Sequence, residues 1–337
     1  MEKEKSFDMN NVDSRSKIKK ILVFTLSNIG DVIVTTPVLS LLREHFPQAH
    51  LSVLLGPKGA PFFENCNTID DVIIYDKRAF WFDRLKLVFR LRQAHYDCVV
   101  DLRNSLLAWL IGARYRTSIW MDRSDRLIRA QHLKRLSFLI ERPTGENKFH
   151  FFSAEEQSTA LRKFKKHSSS PENRPFIILA PGAGTHLKRW TASGFAQLAD
   201  HLVAAGNSVV LVGDKGELNI GKDVEQRISR PVSNLIGELT LRELAGLTSL
   251  AALVVANDSS IMHLAHELNR PTVSIYGPTD EAKIDLLEPN RKGVRLHLDC
   301  TPCEKAQCRL ERRACLDDLP ASSVIEACES LLNHAPH

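Results

Sequence analysis

The chain has 337 residues, 43% of them hydrophobic and 25% charged, an ordinary globular composition with length enough for two cores. The formal charge of +5 is unevenly spread: residues 1–170 hold 28 Lys+Arg against 19 Asp+Glu, and residues 171–337 hold 17 against 21, which points to an anionic partner for the N-terminal half. A nucleic-acid binder, a membrane-spanning protein and a disulfide scaffold are all disfavoured: there is no dense basic helix face or aromatic–basic RNA motif, no run near the roughly 20 apolar residues of a span, and only seven cysteines.

Residues 1–19 are charged and polar, without the apolar core of a signal peptide, and read as a loose tail. Residues 21–26 (ILVFTL) form the first predicted strand, 27–31 (SNIGD) the turn after it, and 32–45 a helix with Pro37 near its first turn, where proline is tolerated. Strands follow at 51–55 and 71–75, a helix at 80–93, a strand at 96–102, a helix at 106–112 and a short strand at 118–121. The basic stretch 123–142 shows no clear period. Ser168-Ser169-Ser170-Pro171 reads as a linker. Beyond it come a strand at 176–180, the loop 181–189 (PGAGTHLKR), a helix at 191–205, a strand at 208–212 and a helix at 240–250 capped by Thr240. Strand 253–256, the polar turn 257–260 (NDSS), helix 261–268 and strand 272–276 complete the series. Alternating strands and helices predict α/β architecture with parallel sheets, in two successive Rossmann-like domains. Ligands of such sheets lie beyond the C-terminal strand ends.

The residues with chemistry fall at those ends. Asp31 begins a helix after the first strand, beside Gly30; a plain helix-cap carboxylate is the competing reading. Gly182 and Gly184 in the loop 181–189 could present a concave nest of N–H groups to a phosphate, with Lys188 as a point charge. Asp214 and Glu217 follow another strand, where an acidic group can accept from ribose hydroxyls. Asp258, Ser259, Ser260 and His263 form the strongest group, a helix N-terminus suited to a diphosphate. Neither a Gly-x-Gly-x-x-Gly fingerprint nor a Walker loop is present, which argues against a nicotinamide dehydrogenase and a P-loop NTPase. Cys300, Cys303, Cys308 and Cys315 are spaced C-x2-C-x4-C-x6-C; four such thiols could chelate a structural zinc or iron, or remain free or paired. Cys66, Cys98 and Cys328 read as small core residues.

Four blocks in order, ILVFTLSNIGDVIVTTPVLSLLREHFPQAHLSVL, YDCVVDLRNS, ILAPGAGTHLKRWTASGFAQLADHL with VVLVGDKGE, and NDSSIMHLAHELNRPTVSIYGPT, make the chain resemble the bacterial heptosyltransferases of glycosyltransferase family 9 over about residues 20–330. The resemblance implies a GT-B fold, two Rossmann-like domains with parallel sheets facing across a cleft. It divides the chain into an acceptor-binding domain at 20–167, a nucleotide-sugar domain at 172–320 carrying the Cys-rich segment 300–315, and a final helix at 321–337 packing back on the first domain. It implies inverting, metal-independent transfer from ADP-L-glycero-β-D-manno-heptose to Kdo or heptose of a lipopolysaccharide precursor. The enzyme would be cytoplasmic and peripheral at the inner membrane, with no nucleic-acid partner and no cofactor for catalysis. By position, Asp31 corresponds to the general base, Lys188 to the donor-phosphate lysine, and Gly184, Asp258, Ser259, Ser260 and His263 to the donor site. Glu217 sits where the family has a ribose contact. Lys58, Arg78 and Arg103 are candidate contacts for the acidic acceptor. The alternatives are a GT-B enzyme for another nucleotide sugar or acceptor, and a non-catalytic lipopolysaccharide-assembly protein.

Overall fold

Two all-parallel sheets organise the protein in the computed structural model, which describes residues 18–64, 66–76, 81–120, 124–141, 143–144, 148–167, 175–284 and 288–333. The chain divides into two units, residues 1–150 and 151–337.

The first unit contains β1 (Lys20–Phe24), α1 (Ile29–His45), β2 (His50–Leu55), β3 (Asp71–Ile74), α2 (Trp81–Gln93), β4 (Cys98–Asp101), α3 (Leu107–Ile111), β5 (Tyr115–Arg116) and α4 (Ile128–Lys134). Its strand order is β3-β2-β1-β4-β5. The central strands are buried nearly throughout and mostly apolar, as in parallel sheets covered by helices, and Leu22, Phe24, Leu54 and Val99 build the core on one face. Helix α1 starts earlier than its sequence suggests, so Pro37 lies in its interior. Proline there denies an N–H to the carbonyl four residues back. The Thr36 hydroxyl donates to that carbonyl, on Ile33, at 2.7 Å. The fifth strand forms at Tyr115–Arg116, where pairing with Cys98 and Val99 fixes its register. Of the strand expected at 118–121, residues 118–120 are not in a strand and Met121 lies outside the described residues. Thr117 then turns its hydroxyl to accept from the Asp101 N–H, and the chain bends at 119–120.

The second unit contains α5 (Ala154–His167), β6 (Phe176–Ala180), α6 (Ala192–Ala204), β7 (Ser208–Leu211), α7 (Leu218–Glu225), β8 (Ser233–Asn234), α8 (Leu241–Thr248), β9 (Leu253–Asn257), α9 (Ser260–Glu267), β10 (Thr272–Tyr276), β11 (Arg291–Arg295), α10 (Ala314–Asp317) and α11 (Ala321–Asn333). Its strand order is β11-β10-β9-β6-β7-β8. The unit boundary precedes α5, so the serine-rich segment expected as the linker falls within the second unit and outside the described residues. Helix α5 is held to α8 by Arg242–Glu156 and Lys163–Glu243 ion pairs, each 2.7 Å. Gly246 lets the two backbones close up: a Cβ there would stand 2.7 Å from the Gln157 Cα. The last helix, expected to pack back on the first domain, contributes to the core of its own unit: Val324, Cys328 and Leu331 of α11 are buried there.

Candidate active site

In the second unit the chain reverses direction across the sheet between β6 and β9, the position where such folds bind ligands. The loop 181–189 leaves β6 there, and the turn 257–260 leaves β9. Asn257, fully buried, joins them: its side-chain amide donates to the Pro181 carbonyl at 2.8 Å, and its oxygen accepts from the Trp190 N–H at 2.9 Å. Arg189 reinforces the loop by donating to the Ala183 carbonyl. Lys188 is thereby carried to Asp258, with Nζ 2.7 Å from a carboxylate oxygen that also accepts from the Thr279 hydroxyl at 2.5 Å. Burial works to raise the Asp258 carboxyl, but the Lys188 charge and hydrogen bond, the Thr279 hydroxyl and the charge of His263 together hold it below the usual range. Asp258 therefore stays an anion and fixes the lysine.

Beside this pair begins α9, whose first N–H groups have no acceptor within the helix. Ser259 is its N-cap residue, yet its hydroxyl does not cap; the oxygen is buried and makes no hydrogen bond among the described residues. Dipole, free N–H groups, lysine and an unsatisfied hydroxyl together make a site for an anion. Ser260 opens the helix, and His263 lies one turn in, half-buried and close enough for its charge to act on Asp258.

The glycines behave differently from expectation. Gly182 and Gly184 form no left-handed nest, since neither has a positive φ. Gly184 is exposed with open space around it. Gly182 is required because the Glu217 carboxylate lies against it: a Cβ would fall 1.8 Å from Oε1. Glu217 accepts from the Asp214 N–H at 3.0 Å in a reciprocal capping box. Burial lifts its carboxyl above the ordinary range against that hydrogen bond, with the Asp214 charge adding to the rise.

The first unit reverses between β1 and β4. Asp31 stands in the first turn of α1 at this point, exposed, and accepts from the Asn28 side-chain amide at 2.8 Å. Among the described residues no N–H of α1 donates to it. Asp101 shapes the loop after β4 by accepting from the Arg103 and Ser105 N–H groups at 2.8 and 2.7 Å. Around this edge three buried polar atoms have no partner among the described residues: Ser27 Oγ, Arg103 Nη1 and His132 Nε2. His132 comes from α4, which packs on α1. Burial pushes its imidazole down to about 4, against the pull of the Asp31 charge. Ser27 and His132 are additions that the sequence did not single out; His132 sits in the basic stretch without a clear period, where only packing against α1 reveals it. Lys58 is exposed in the turn after β2, and Arg78 lies outside the described residues.

The four tail cysteines form no disulfide among the described residues and line a single pocket with Leu187, Pro278 and Arg313. Burial, followed by the other three thiols, raises Cys315. Among the described residues no three His, Cys, Asp or Glu side chains are placed to hold a metal ion. The segment supports the loop 181–189: Arg313 donates to the His186 and Arg189 carbonyls, and Trp190 Nε1 donates to the Leu319 carbonyl at 3.1 Å. Cys66, Cys98 and Cys328 are buried, as core residues should be.

The sequence pattern of glycosyltransferase family 9 (heptosyltransferase) matches residues 84–314, more than half of the chain. This chain belongs to glycosyltransferase family 9. It is 27% identical over 330 residues to lipooligosaccharide heptosyltransferase 2 of Campylobacter jejuni, covering 94% of this chain and 99% of that one. Among solved structures, the E. coli ADP-heptose lps heptosyltransferase II superposes with a TM-score of 0.74 at 25% identity, covering 93% and 98% of the two chains. A family 9 glycosyl transferase from Veillonella parvula gives 0.78 at 24%, covering 94% and 98%. The family 9 chain is thus a glycosyltransferase of GT-B fold. Among its described residues, no helix is long and apolar enough to cross a membrane.

Proposed function

We propose that this family 9 enzyme moves a heptose from ADP-L-glycero-β-D-manno-heptose to Kdo or heptose in the inner core of a lipopolysaccharide precursor, working peripherally at the cytoplasmic face of the inner membrane. The observation that carries the reading is the Lys188–Asp258 pair beside the α9 N-terminus with the unsatisfied Ser259 hydroxyl. An ADP diphosphate supplies the charge and the acceptor oxygens those groups lack.

Asp31 takes the proton of the acceptor hydroxyl as its oxygen bonds to the anomeric carbon. The bond from that carbon to the diphosphate oxygen breaks on the opposite face, so configuration inverts. The transition state has oxocarbenium character, as in other glycosyl transfers. Negative charge grows on the departing ADP and is met by Lys188, the N–H groups at Ser259 and Ser260, and the helix dipole. These groups supply the leaving-group stabilisation with no metal in the step. His263 completes the donor site, and Glu217 accepts from the ribose. Arg103, Lys58 and Arg78 serve the acidic acceptor, with Ser27 and His132 offering the unsatisfied polar atoms at the same edge.

The anion cradle reads a diphosphate more directly than a sugar. Thermal-shift titration should therefore compare ADP-heptose with UDP-, GDP- and other ADP-sugars, followed by transfer to a truncated Kdo-bearing core. Stabilisation and transfer confined to ADP-heptose are expected; equal responses to another nucleotide sugar would reassign the donor. For the cysteine tail we propose a structural zinc or iron that draws together the four thiols lining one pocket, since among the described residues no three such side chains yet stand close enough to hold an ion. Elemental analysis should then find about one ion per chain; metal-free protein with full stability and activity would remove it.

A further inference from the structure

Helix α2 has two apolar stripes. Leu87 and Leu91 turn into the first-unit core. Phe82, Leu85 and Phe89 follow one another at intervals of three and four residues, so they share one line, about half a turn away from the core-facing pair. That line is solvent-exposed, at 51%, 47% and 64%. The neighbouring α3 repeats the pattern: Ala108 and Ile111 enter the same core cluster, while Leu106, Trp109 and Leu110 are 68%, 47% and 51% exposed. The two helices touch each other and cover one face of the sheet. Six large apolar side chains therefore share an outward surface, the kind of patch that soluble proteins rarely leave uncovered without use.

The charge around the patch says what covers it. Residues 81–116 carry seven Lys/Arg against three Asp, and one of those, Asp101, is buried. Lys86 and Arg92 flank the α2 stripe one or three residues from its members. The Arg116 guanidinium lies 4.0 Å over the Trp109 ring. A helix with an apolar line, an aromatic ring at its border and cations beside them matches the interface of an anionic bilayer, where rings sit at headgroup depth and cations meet lipid phosphates.

We propose that the outward face of α2 and α3 docks this enzyme on an anionic lipid surface. The proposal rests on the lipid-linked acceptor of the reading above, since such a substrate is presented there, but binding to vesicles can be read without any transfer.

The full-length protein should sediment with phosphatidylglycerol-containing vesicles at least tenfold more strongly than with pure phosphatidylcholine, and lose binding as salt rises. Phe89→Ser with Leu110→Ser should cut binding at least tenfold, and Lys86→Glu with Arg92→Glu should do so while the apolar line remains. Both pairs should keep the wild-type melting temperature and wild-type transfer to a soluble truncated acceptor. Equal binding to neutral vesicles, or binding untouched by either pair, overturns the proposal. So does a dimer in solution that Phe89→Ser abolishes, because a second copy would then cover the face. Vesicle binding without any heptose transfer by the wild type would leave the docking face standing and sink the heptose reading.

Discussion

The donor-side and acceptor-side candidates are built in opposite ways. At the edge of the second sheet nearly every polar group is engaged: Asn257 ties the two loops, Asp258 holds Lys188, Arg189 and Arg313 hold the loop backbone. Among the described residues the Ser259 hydroxyl, with the helix N–H groups, stays open beside the Lys188–Asp258 pair. At the edge of the first sheet Asp31 is exposed and accepts one side-chain hydrogen bond, from Asn28, while among the described residues Ser27, Arg103 and His132 each keep a buried polar atom without a hydrogen-bond partner. A preorganised cradle suits charge that develops on a leaving diphosphate, because no reorganisation is needed at the moment of reaction. Unpaired buried groups cost stability until a polar ligand meets them, which suits a face that waits for a sugar acid.

The sharpest way to break this contrast is Asp31→Asn. Turnover should fall about 10²–10⁴-fold with ADP affinity unchanged; near-normal turnover in a rapid-quench assay would remove Asp31 as the base. Lys188→Ala comes next. ADP affinity should drop about 10–100-fold by calorimetry, and the protein should also lose stability, because a buried Asp258 anion is left without its partner. Adding Asp258→Asn should restore part of the stability but none of the ADP affinity. Stability unchanged in the single variant would mean that the pair does not organise the cradle. His132→Ala should be smaller, raising KM for the acceptor several-fold with ADP binding intact; an effect on ADP alone would place it with the wrong substrate.

A separate effect, away from turnover and binding, is on acid stability. Burial holds His132 down to about 4 and His266 down to about 2, both from 6.5. Below pH 6.5 the unfolded chain takes up protons that these folded imidazoles refuse, so stability should decline as pH falls. The decline due to His132 should end near pH 4, while that of His266 continues lower. Each contributes a slope of up to about 1.4 kcal/mol per pH unit. Urea unfolding at pH 7.0, 5.5 and 4.5 measures it, and removing His132 by Ala should flatten the curve between 6.5 and 4.

Much of this was legible in the residues. Strands β6 and β10 fall where apolar runs between turn residues put them, and the polar turn 257–260 was visible as a helix entry. Helices α5 and α7 were not read, and neither was the edge strand β11, RKGVR, whose polar residues hide its pairing with β10. The glycine loop misled for a related reason: glycine permits both a nest and a close neighbour, and only Glu217 beside Gly182 decides between them.

Local chemistry in the sequence determined most of the segments that become strands and helices, and which of their ends carry the candidate phosphate-binding groups, since periodicity and capping act within a few residues. Tertiary structure alone decided the strand orders that bring the loops after β6 and β9 together, and that place His132 near Asp31. Those meetings join residues 70 to 100 positions apart in the chain. They depend on which buried faces pair, a choice that no short stretch of sequence contains.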